Sequence, residues 1–303
     1  MSGRPGESFL DRQFVYGLVA LASSASWALG TVLWRKIGEE ISPFSMNLGK
    51  GIIGSLFLAA PFIFIRLEPM SMHDFVYLGI SGLLGITLGD TFFFLSLMHL
   101  GPSLSSLMGT LIPVSVAFSA VVFLGERPSS AVWAGILLTV GGVAWVVNAR
   151  QSRQVRPKSE VSGVVLRLLS VLFMTAGIIC AKIGVRAVPT VQATLIRMLW
   201  GVAGLLCWGG LSRQLGHWVA PLRDPRLLRK VCLIVFIVVF GGFWLSLLSL
   251  KYLDAALAGA LGSTAPLFIL PLAAIILGER ISVKAGLATA LAVGGVGLML
   301  VGK

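Results

Sequence analysis

Long apolar stretches separated by short polar connections make up almost the whole of this 303-residue chain. Each stretch runs for about 18 to 23 residues, which as a helix is long enough to cross ~30 Å of hydrocarbon. The stretches do not alternate apolar and polar positions, and this favours helices over the strands of a membrane barrel. We therefore predict an all-α membrane protein with ten transmembrane helices. They cover residues 14–34, 45–65, 75–97, 103–124, 131–148, 162–184, 190–211, 231–250, 255–277 and 283–301.

The pattern repeats in the second half of the chain, in register with its helix-breaking residues. A shift of 153 positions places Pro113 on Pro266 and the Gly-Glu-Arg sequence at 125–127 on the one at 278–280. Each half thus carries an interrupted helix at the same place. Two such copies of a hydrophobic unit are typical of secondary transporters.

The repeat divides the chain into two halves joined by a basic linker. We predict a first five-helix repeat at residues 1–149, a linker at 150–161 and a second five-helix repeat at 162–303. Because five is an odd number, the second copy must cross the membrane in the opposite direction to the first. The expected fold is two inverted five-helix repeats. The N-terminal apolar run resembles a signal peptide, but its cleavage would leave the first repeat one helix short, so we expect it to be retained.

Composition excludes several classes of function. Hydrophobic residues make up 56% of the chain and charged residues 12%, too few charges for a water-soluble surface. The formal net charge of +12 then indicates basic loops beside anionic lipid rather than a nucleic-acid-binding surface. The three cysteines lie in or at the edge of apolar runs, with no disulfide or metal-ligand spacing. We expect a lipid bilayer as surroundings and no nucleic acid, cofactor or metal.

Basic residues divide unequally between the two sides of the predicted membrane domain. With ten helices both termini lie on one side, and the loops of the opposite side carry thirteen Lys and Arg residues against seven on the terminal side. The positive-inside rule then favours a cytoplasmic linker and external termini.

A proline lies in the middle of the fourth predicted helix of each half. Pro113 removes a backbone amide and displaces the carbonyl four residues earlier, which belongs to Gly109. Pro266 does the same to the carbonyl of Gly262. Since glycine leaves that oxygen uncovered, we expect both glycines to contact cargo near the membrane midplane.

Residues with hydroxyl groups follow both glycines. Thr110 in the first half and Ser263 in the second can bond cargo or repair the broken hydrogen-bond ladder. Neighbouring helices can also satisfy such kinks without any contact to cargo. In that case Pro113 and Pro266 act as hinges, and a hinge role is compatible with either outcome.

Lys50, Asp90 and Arg197 are charged residues that lie inside apolar runs, where charge is costly and marks function. Lys50 and Asp90 fall in the same membrane half, so they can form an internal pair. Lys50 then either contacts an anionic group or neutralises Asp90, which in turn either carries a proton, contacts an amine or only holds two helices together. Arg197 lies in the opposite half without a carboxylate in its helices, and it is the better candidate for a cargo anion.

Aromatic residues supply further candidate contacts with cargo. Trp27 lies deep in the first helix, on a face that also carries Ser23 and Thr31. Phe94 and Trp244 occupy similar positions in the two repeats. Packing is the more common role of such residues inside membranes, and both interpretations stay open.

The duplicated pattern resembles the EamA-type members of the drug/metabolite transporter superfamily. The resemblance rests on the ten-helix chain and on the two Pro-interrupted fourth helices ending in Gly-Glu-Arg, and it covers about residues 14–301. It implies a multi-pass carrier of the inner or plasma membrane, whose inverted halves surround a central site. Helices five and ten would lie at the periphery or in a homodimer contact. Such carriers export amino acids, nucleotide-related metabolites, sugars or toxic compounds.

We expect a secondary transporter that exports a small metabolite, such as an amino acid or a carboxylated compound, by alternating access around a central cavity. Protons carried by Asp90 are the candidate coupling ion. A lipid-linked sugar flippase or a non-transporting membrane subunit of the same fold is the alternative. An intramembrane enzyme is not expected, since Thr-Leu-Gly-Asp at 87–90 differs from the Gly-x-Gly-Asp of aspartyl proteases and a second deep carboxylate is missing.

Overall fold

The chain was analysed as a computed structural model that describes residues 9–64, 66–125, 127, 129–151, 158–262, 264–278 and isolated positions from 283 to 298. All regular secondary structure in these residues is helical. The helices of the first half are α1 (Phe9–Ile37), α2 (Pro43–Ala59), α3 (Met72–Ser81), α4 (Thr91–Gly109), α5 (Leu111–Leu124) and α6 (Ser130–Gln151). Those of the second half are α7 (Lys158–Gly184), α8 (Thr190–Leu211), α9 (Leu215–Val219), α10 (Pro225–Phe236), α11 (Leu245–Tyr252), α12 (Ala255–Gly262) and α13 (Ala265–Leu277).

Six continuous helical segments of the described chain are long and apolar enough to cross a membrane. They are Gln13–Ile37, Pro43–Ile63, Met72–Gly109, Val161–Gly184, Thr190–Leu211 and Pro225–Tyr252. The prediction of an all-helical, multi-pass membrane protein is confirmed at this level. The tenth predicted helix, at 283–301, lies largely outside the described residues, so the count of ten helices stays a prediction.

Both halves contain a π-helical segment within their third predicted helix. Gly82–Asp90 joins α3 to α4, and Ile237–Trp244 joins α10 to α11. A π-helix has wider i→i+5 turns, and such segments occur frequently at functional sites. Neither segment was foreseen from the hydrophobic pattern, since its residues are as apolar as those of an α-helix.

The fourth predicted helix is interrupted in both halves, as the prolines indicate. In the first half Thr110 separates α4 from α5, and in the second half α12 ends at Gly262 and α13 begins at Ala265. A further break lies at Gly101, whose φ of 74° and ψ of 168° turn the chain between the third and fourth predicted helices. Gly125 and Gly278 follow α5 and α13 with left-handed φ values of 67° and 69°, a helix ending that glycine adopts readily.

The contacts between helices are reciprocal between the halves. The first helix of the first half, α1, packs against α11, α12 and α13 of the second half. Its counterpart α7 packs against α3, α4 and α5 of the first half. Helix α2 contacts its counterpart α8 directly, and the reciprocal pairs α5 with α12 and α4 with α13 are also in contact. Such reciprocity is expected of two repeats related by a pseudo-twofold axis; the inverted five-helix arrangement itself stays a prediction.

Glycines bring α7 close to the π-helical segment of the first half. A Cβ on Gly177 would lie 2.9 Å from Cα of Gly85, so the two backbones touch. The Ser81 hydroxyl donates to the Gly177 carbonyl over 2.6 Å. Small residues and interhelical hydrogen bonds hold membrane helices together where no hydrophobic driving force operates between them. This contact fixes one wall of the central cavity.

Candidate functional site

A cavity of about 230 Å³ lies between the two halves. Its walls come from α1, the Gly82–Asp90 segment and the α4–α5 break on one side, and from α7, α8 and α11 to α13 on the other. Its polar and charged lining residues are Ser23, Thr31, Asp90, Ser106, Thr110, Arg167, Arg197 and Ser246. Secondary transporters bind cargo at such a junction of repeats, formed by interrupted helices.

Lys50 and Asp90 form a buried ion pair beside this cavity. Helix α2 begins after Ser42, whose hydroxyl accepts from the amide of Ser45 over 3.1 Å, and it carries Lys50 towards the cavity wall. Asp90 is the last residue of the π-helical segment and lines the cavity. The Lys50 ammonium donates to Oδ2 of Asp90. The predicted pair is therefore present, with Lys50 fully buried behind a carboxylate that faces the cavity.

Aromatic rings and an amide complete the surroundings of this pair. The Lys50 ammonium lies 5.2 Å from the ring centre of Phe94 and 5.1 Å from that of Phe243, within the range of a cation–π attraction. The side-chain amide of Asn47 donates to the carbonyl of Ile86 and to the Thr91 hydroxyl, over 2.8 and 2.9 Å. These bonds tie α2 to the middle of the segment that carries Asp90 and to the residue that follows it.

Arg197 enters the cavity from α8. Its Nε donates to the Ser81 hydroxyl over 2.8 Å, and the side chain is 9% exposed. The sequence places Arg197 and Asp90 in opposite membrane halves, yet both line the same cavity. The Ser81 hydroxyl, which itself donates to the Gly177 carbonyl of α7, holds the Arg197 guanidinium at the cavity wall.

Arg167 is a lining residue that the sequence analysis missed. Its Nε donates to the Ser105 carbonyl over 2.8 Å, and its Nη1 donates to the Ser170 hydroxyl over 2.9 Å. Its guanidinium carbon lies 5.0 Å from the ring centre of Phe93, and the side chain is 4% exposed. Arg167 is a charged residue within the apolar run of the sixth predicted helix, and a charge inside such a run is the one signal in the sequence that points to it.

The charges around the cavity do not balance within the described chain. Asp90 is the carboxylate of the described lining, and Lys50 already neutralises it. Neither Arg167 nor Arg197 forms an ion pair among the residues that the structure describes. The cavity wall therefore carries a formal excess of two positive charges.

Hydroxyl groups repair the ends of the helices at both breaks. The Thr110 hydroxyl donates to the Leu107 carbonyl over 2.7 Å, and the Thr264 hydroxyl donates to the Leu261 carbonyl over the same distance. The structural counterpart of Thr110 is thus Thr264 rather than Ser263, which lies outside the described residues. The register of the repeat differs by one position here, because Pro266 is the second residue of α13 whereas Pro113 is the third of α5.

The carbonyl that Pro266 displaces is not left uncovered. The Ser24 hydroxyl of α1 donates to the Gly262 carbonyl over 3.2 Å, and it lies 2.9 Å from the Thr264 hydroxyl. A neighbouring helix thus satisfies this kink, as the alternative interpretation expects. Gly262 and Pro266 line the cavity nonetheless, together with Gly109 and Thr110. The side chain of Pro113 lies outside the described residues.

The predicted aromatic contacts divide into one at the cavity and two away from it. Trp27 lines the cavity and packs on Phe243, with 4.7 Å between ring centres. Phe94 is fully buried against Trp34 instead. Trp244 donates from its indole nitrogen to the Thr190 hydroxyl over 3.1 Å. Phe243, next to the predicted Trp244, is the lining residue of that segment, because the π-helical turn rotates the faces.

Comparisons with known proteins agree with this architecture. The profile of the EamA-like transporter family matches residues 15–148 and 161–301. A protein of Archaeoglobus fulgidus described as an uncharacterized transporter is 23% identical over 278 residues, which cover 88% of this chain and 91% of that protein. A protein of known crystal structure superposes with a TM-score of 0.68 at 21% identity, over 94% of this chain and 95% of that one. At this identity the likeness shows a shared fold alone.

Proposed function

We propose the cargo and the mechanism of transport for this chain, which belongs to the EamA-like transporter family. Its cargo is a small anionic metabolite, carrying a carboxylate or a phosphate, that binds in the cavity between the two halves. The protein moves this cargo as a secondary transporter by alternating access, in the direction of export. Both the chemistry of the cargo and the mechanism belong to the proposal.

The two arginines that have no carboxylate partner among the described residues carry this proposal. Arg167 and Arg197 are each less than a tenth exposed, and an uncompensated buried charge costs several kcal/mol. Bidentate guanidinium groups match the geometry of carboxylate and phosphate. A dianion in the cavity compensates both charges and a monoanion compensates one, whereas a cation adds to the excess. The electrostatics thus select against amines and favour acids.

The helix breaks support alternating access. The break at Thr110 and the end of α12 at Gly262 both lie at the cavity wall, and α5 contacts α12. A few residues at such helix ends can absorb the dihedral changes of a rocking motion, with Pro113 and Pro266 as hinges. Cargo shifts the two states only through a difference in its affinity for them. The anion must therefore meet a different arginine arrangement in the inward and the outward state.

A thermal-shift screen on the purified protein tests the anionic cargo. A ligand that binds the folded state alone adds about 2.7 kcal/mol of stability at a hundred times its dissociation constant. Benzoate, succinate and inorganic phosphate serve as anionic probes, and benzamide as an uncharged one. We expect an anion to raise the melting temperature of the wild-type protein. Arg167→Gln and Arg197→Gln should each abolish the rise, whereas Arg226→Gln, at an exposed position of α10, should retain it.

The other outcomes of this screen count against the proposal. Equal stabilisation by benzamide and benzoate contradicts an anion site. Stabilisation by a lipid-linked sugar alone supports the flippase alternative, and a wild-type protein that none of these compounds stabilises supports a non-transporting subunit.

Proton coupling through Asp90 is a further part of the proposal. Asp90 faces the cavity, and it is the one carboxylate that pairs with Lys50 among the described residues. Protonation of Asp90 would therefore leave the positive charge of Lys50 without a counter-charge. In proteoliposomes an imposed pH gradient should change the wild-type transport rate, and Asp90→Asn should remove that response while exchange without a gradient continues. A rate that ignores the gradient in both proteins excludes the coupling.

A further inference from the structure

The glycines at the two helix breaks have different neighbours, although the repeat equates them. A Cβ on Gly109 would lie 2.2 Å from Nη2 of Arg167, closer than any real contact. A Cβ on Gly262 would meet nothing within 4 Å. The absence of a side chain at Gly109 therefore makes room for a guanidinium group, whereas the absence of a side chain at Gly262 does not.

The position of Arg167 depends on this room. Its Nε and Nη1 are committed to the Ser105 carbonyl and the Ser170 hydroxyl. Nη2 is the nitrogen that lies against Gly109, at the cavity wall. Ser105 belongs to the same helix as Gly109, so the guanidinium spans the last turn before the break. It thereby places a fixed positive charge beside the end of α4.

The break of the second half is built differently. The Gly262 carbonyl accepts a hydrogen bond from Ser24, and the Thr264 hydroxyl lies against the same serine. The lining residues described on α12 and α13 are Ala258, Gly259, Gly262, Ala265, Pro266 and Ile269, with no cation among them. This half therefore offers an apolar wall with covered polar groups.

We infer that the anionic group of the cargo binds at the break of the first half, on Arg167, and that Gly109 is the positioning residue that seats this arginine. The apolar part of the cargo then faces the second half. This inference rests on the proposed function. It gives the cavity a charged end at the first half and an apolar end at the second, although the two halves are repeats. A Cβ at Gly109 pushes Nη2 away and separates Nε from the Ser105 carbonyl, so the charge loses its fixed place.

The test compares the preference for an anion over its uncharged counterpart in alanine variants. The affinities of benzoate and benzamide are measured on purified wild-type, Gly109→Ala, Gly262→Ala and Gly210→Ala proteins. Gly109→Ala should lower the ratio of the benzoate affinity to the benzamide affinity about tenfold. This change corresponds to about 1.4 kcal/mol, which is within the range of a charge-assisted hydrogen bond. Gly262→Ala should lower the ratio less, and Gly210→Ala, a helical control with open space at its Cβ position, should retain it.

A double mutant separates positioning from a general structural defect. In Arg167→Lys the guanidinium is absent, so adding Gly109→Ala should change the ratio little further. Additive effects, or equal losses in Gly109→Ala and Gly262→Ala, overturn the inference while the anion preference of the wild-type protein still supports the proposed function. A wild-type protein without any anion preference overturns both. Melting temperatures without ligand show whether each variant is folded.

Discussion

Lys50 and Asp90 tolerate burial because each compensates the other. The pair lies among α2, the π-helical segment and two aromatic rings, with Lys50 fully buried and Asp90 at the cavity wall. An isolated charge at such a depth costs several kcal/mol, whereas a hydrogen-bonded pair roughly offsets its own desolvation. The pair therefore does more to fix the place of Asp90 at the cavity than to stabilise the fold.

Removing one partner of this pair should destabilise the protein more than removing both. Lys50→Met leaves Asp90 buried without compensation, which costs about 3–5 kcal/mol. Lys50→Met combined with Asp90→Asn leaves neither charge and should recover much of that loss. Thermal unfolding in detergent measures both variants. A Lys50→Met protein that melts like the wild type would show that Asp90 does not depend on Lys50.

Sequence reasoning at this scale succeeded where two charges lay deep in neighbouring helices. Lys50 and Asp90 were predictable as a pair because helices of known direction bring them to the same depth. Arg167 was not nominated, because it lies near the start of its predicted helix, 162–184, where long basic side chains usually reach the headgroups. The structure instead turns it inward to the Ser105 carbonyl, a tertiary contact that no spacing rule encodes.

Interrupted helices are the element that shapes the cavity. The proline and glycine positions predicted breaks in both fourth helices, since proline removes a backbone donor wherever it occurs. The π-helical segments Gly82–Asp90 and Ile237–Trp244 could not be predicted, because π and α turns have the same apolar composition. Their wider turns explain why Phe243 lines the cavity and Trp244 does not.

The turn at Gly101 gives a prediction about backbone strain. Its φ of 74° and ψ of 168° lie in a region that is essentially restricted to glycine, where a residue with a Cβ costs about 1–3 kcal/mol. Gly101→Ala should therefore lower the unfolding free energy by about that amount. Gly216→Ala, at a helical position with open space, is the matched control. Thermal unfolding of the two variants decides, and equal melting temperatures would show that the turn at Gly101 relaxes without cost.

At the scale of the whole molecule, the first helix of each half packs against the other half. Helix α1 packs on α11, α12 and α13 of the second half, and α7 packs on α3, α4 and α5 of the first half. Neither half therefore closes the cavity alone. The sequence indicated this arrangement through its internal repeat. It could not indicate that the two breaks differ, since the contacts of Gly109 with Arg167 and of Gly262 with Ser24 arise between residues that the repeat does not relate.

Exchange of an anion across proteoliposomes tests most directly whether the cavity carries anionic cargo. Vesicles are loaded with the probe anion that stabilises the wild-type protein most, and uptake of the labelled anion is followed. We expect the wild type and Arg226→Gln to exchange the anion. With Arg197→Gln or Arg167→Gln the exchange should fall to the rate of vesicles without protein. Wild-type exchange rates in both arginine variants would contradict the proposal.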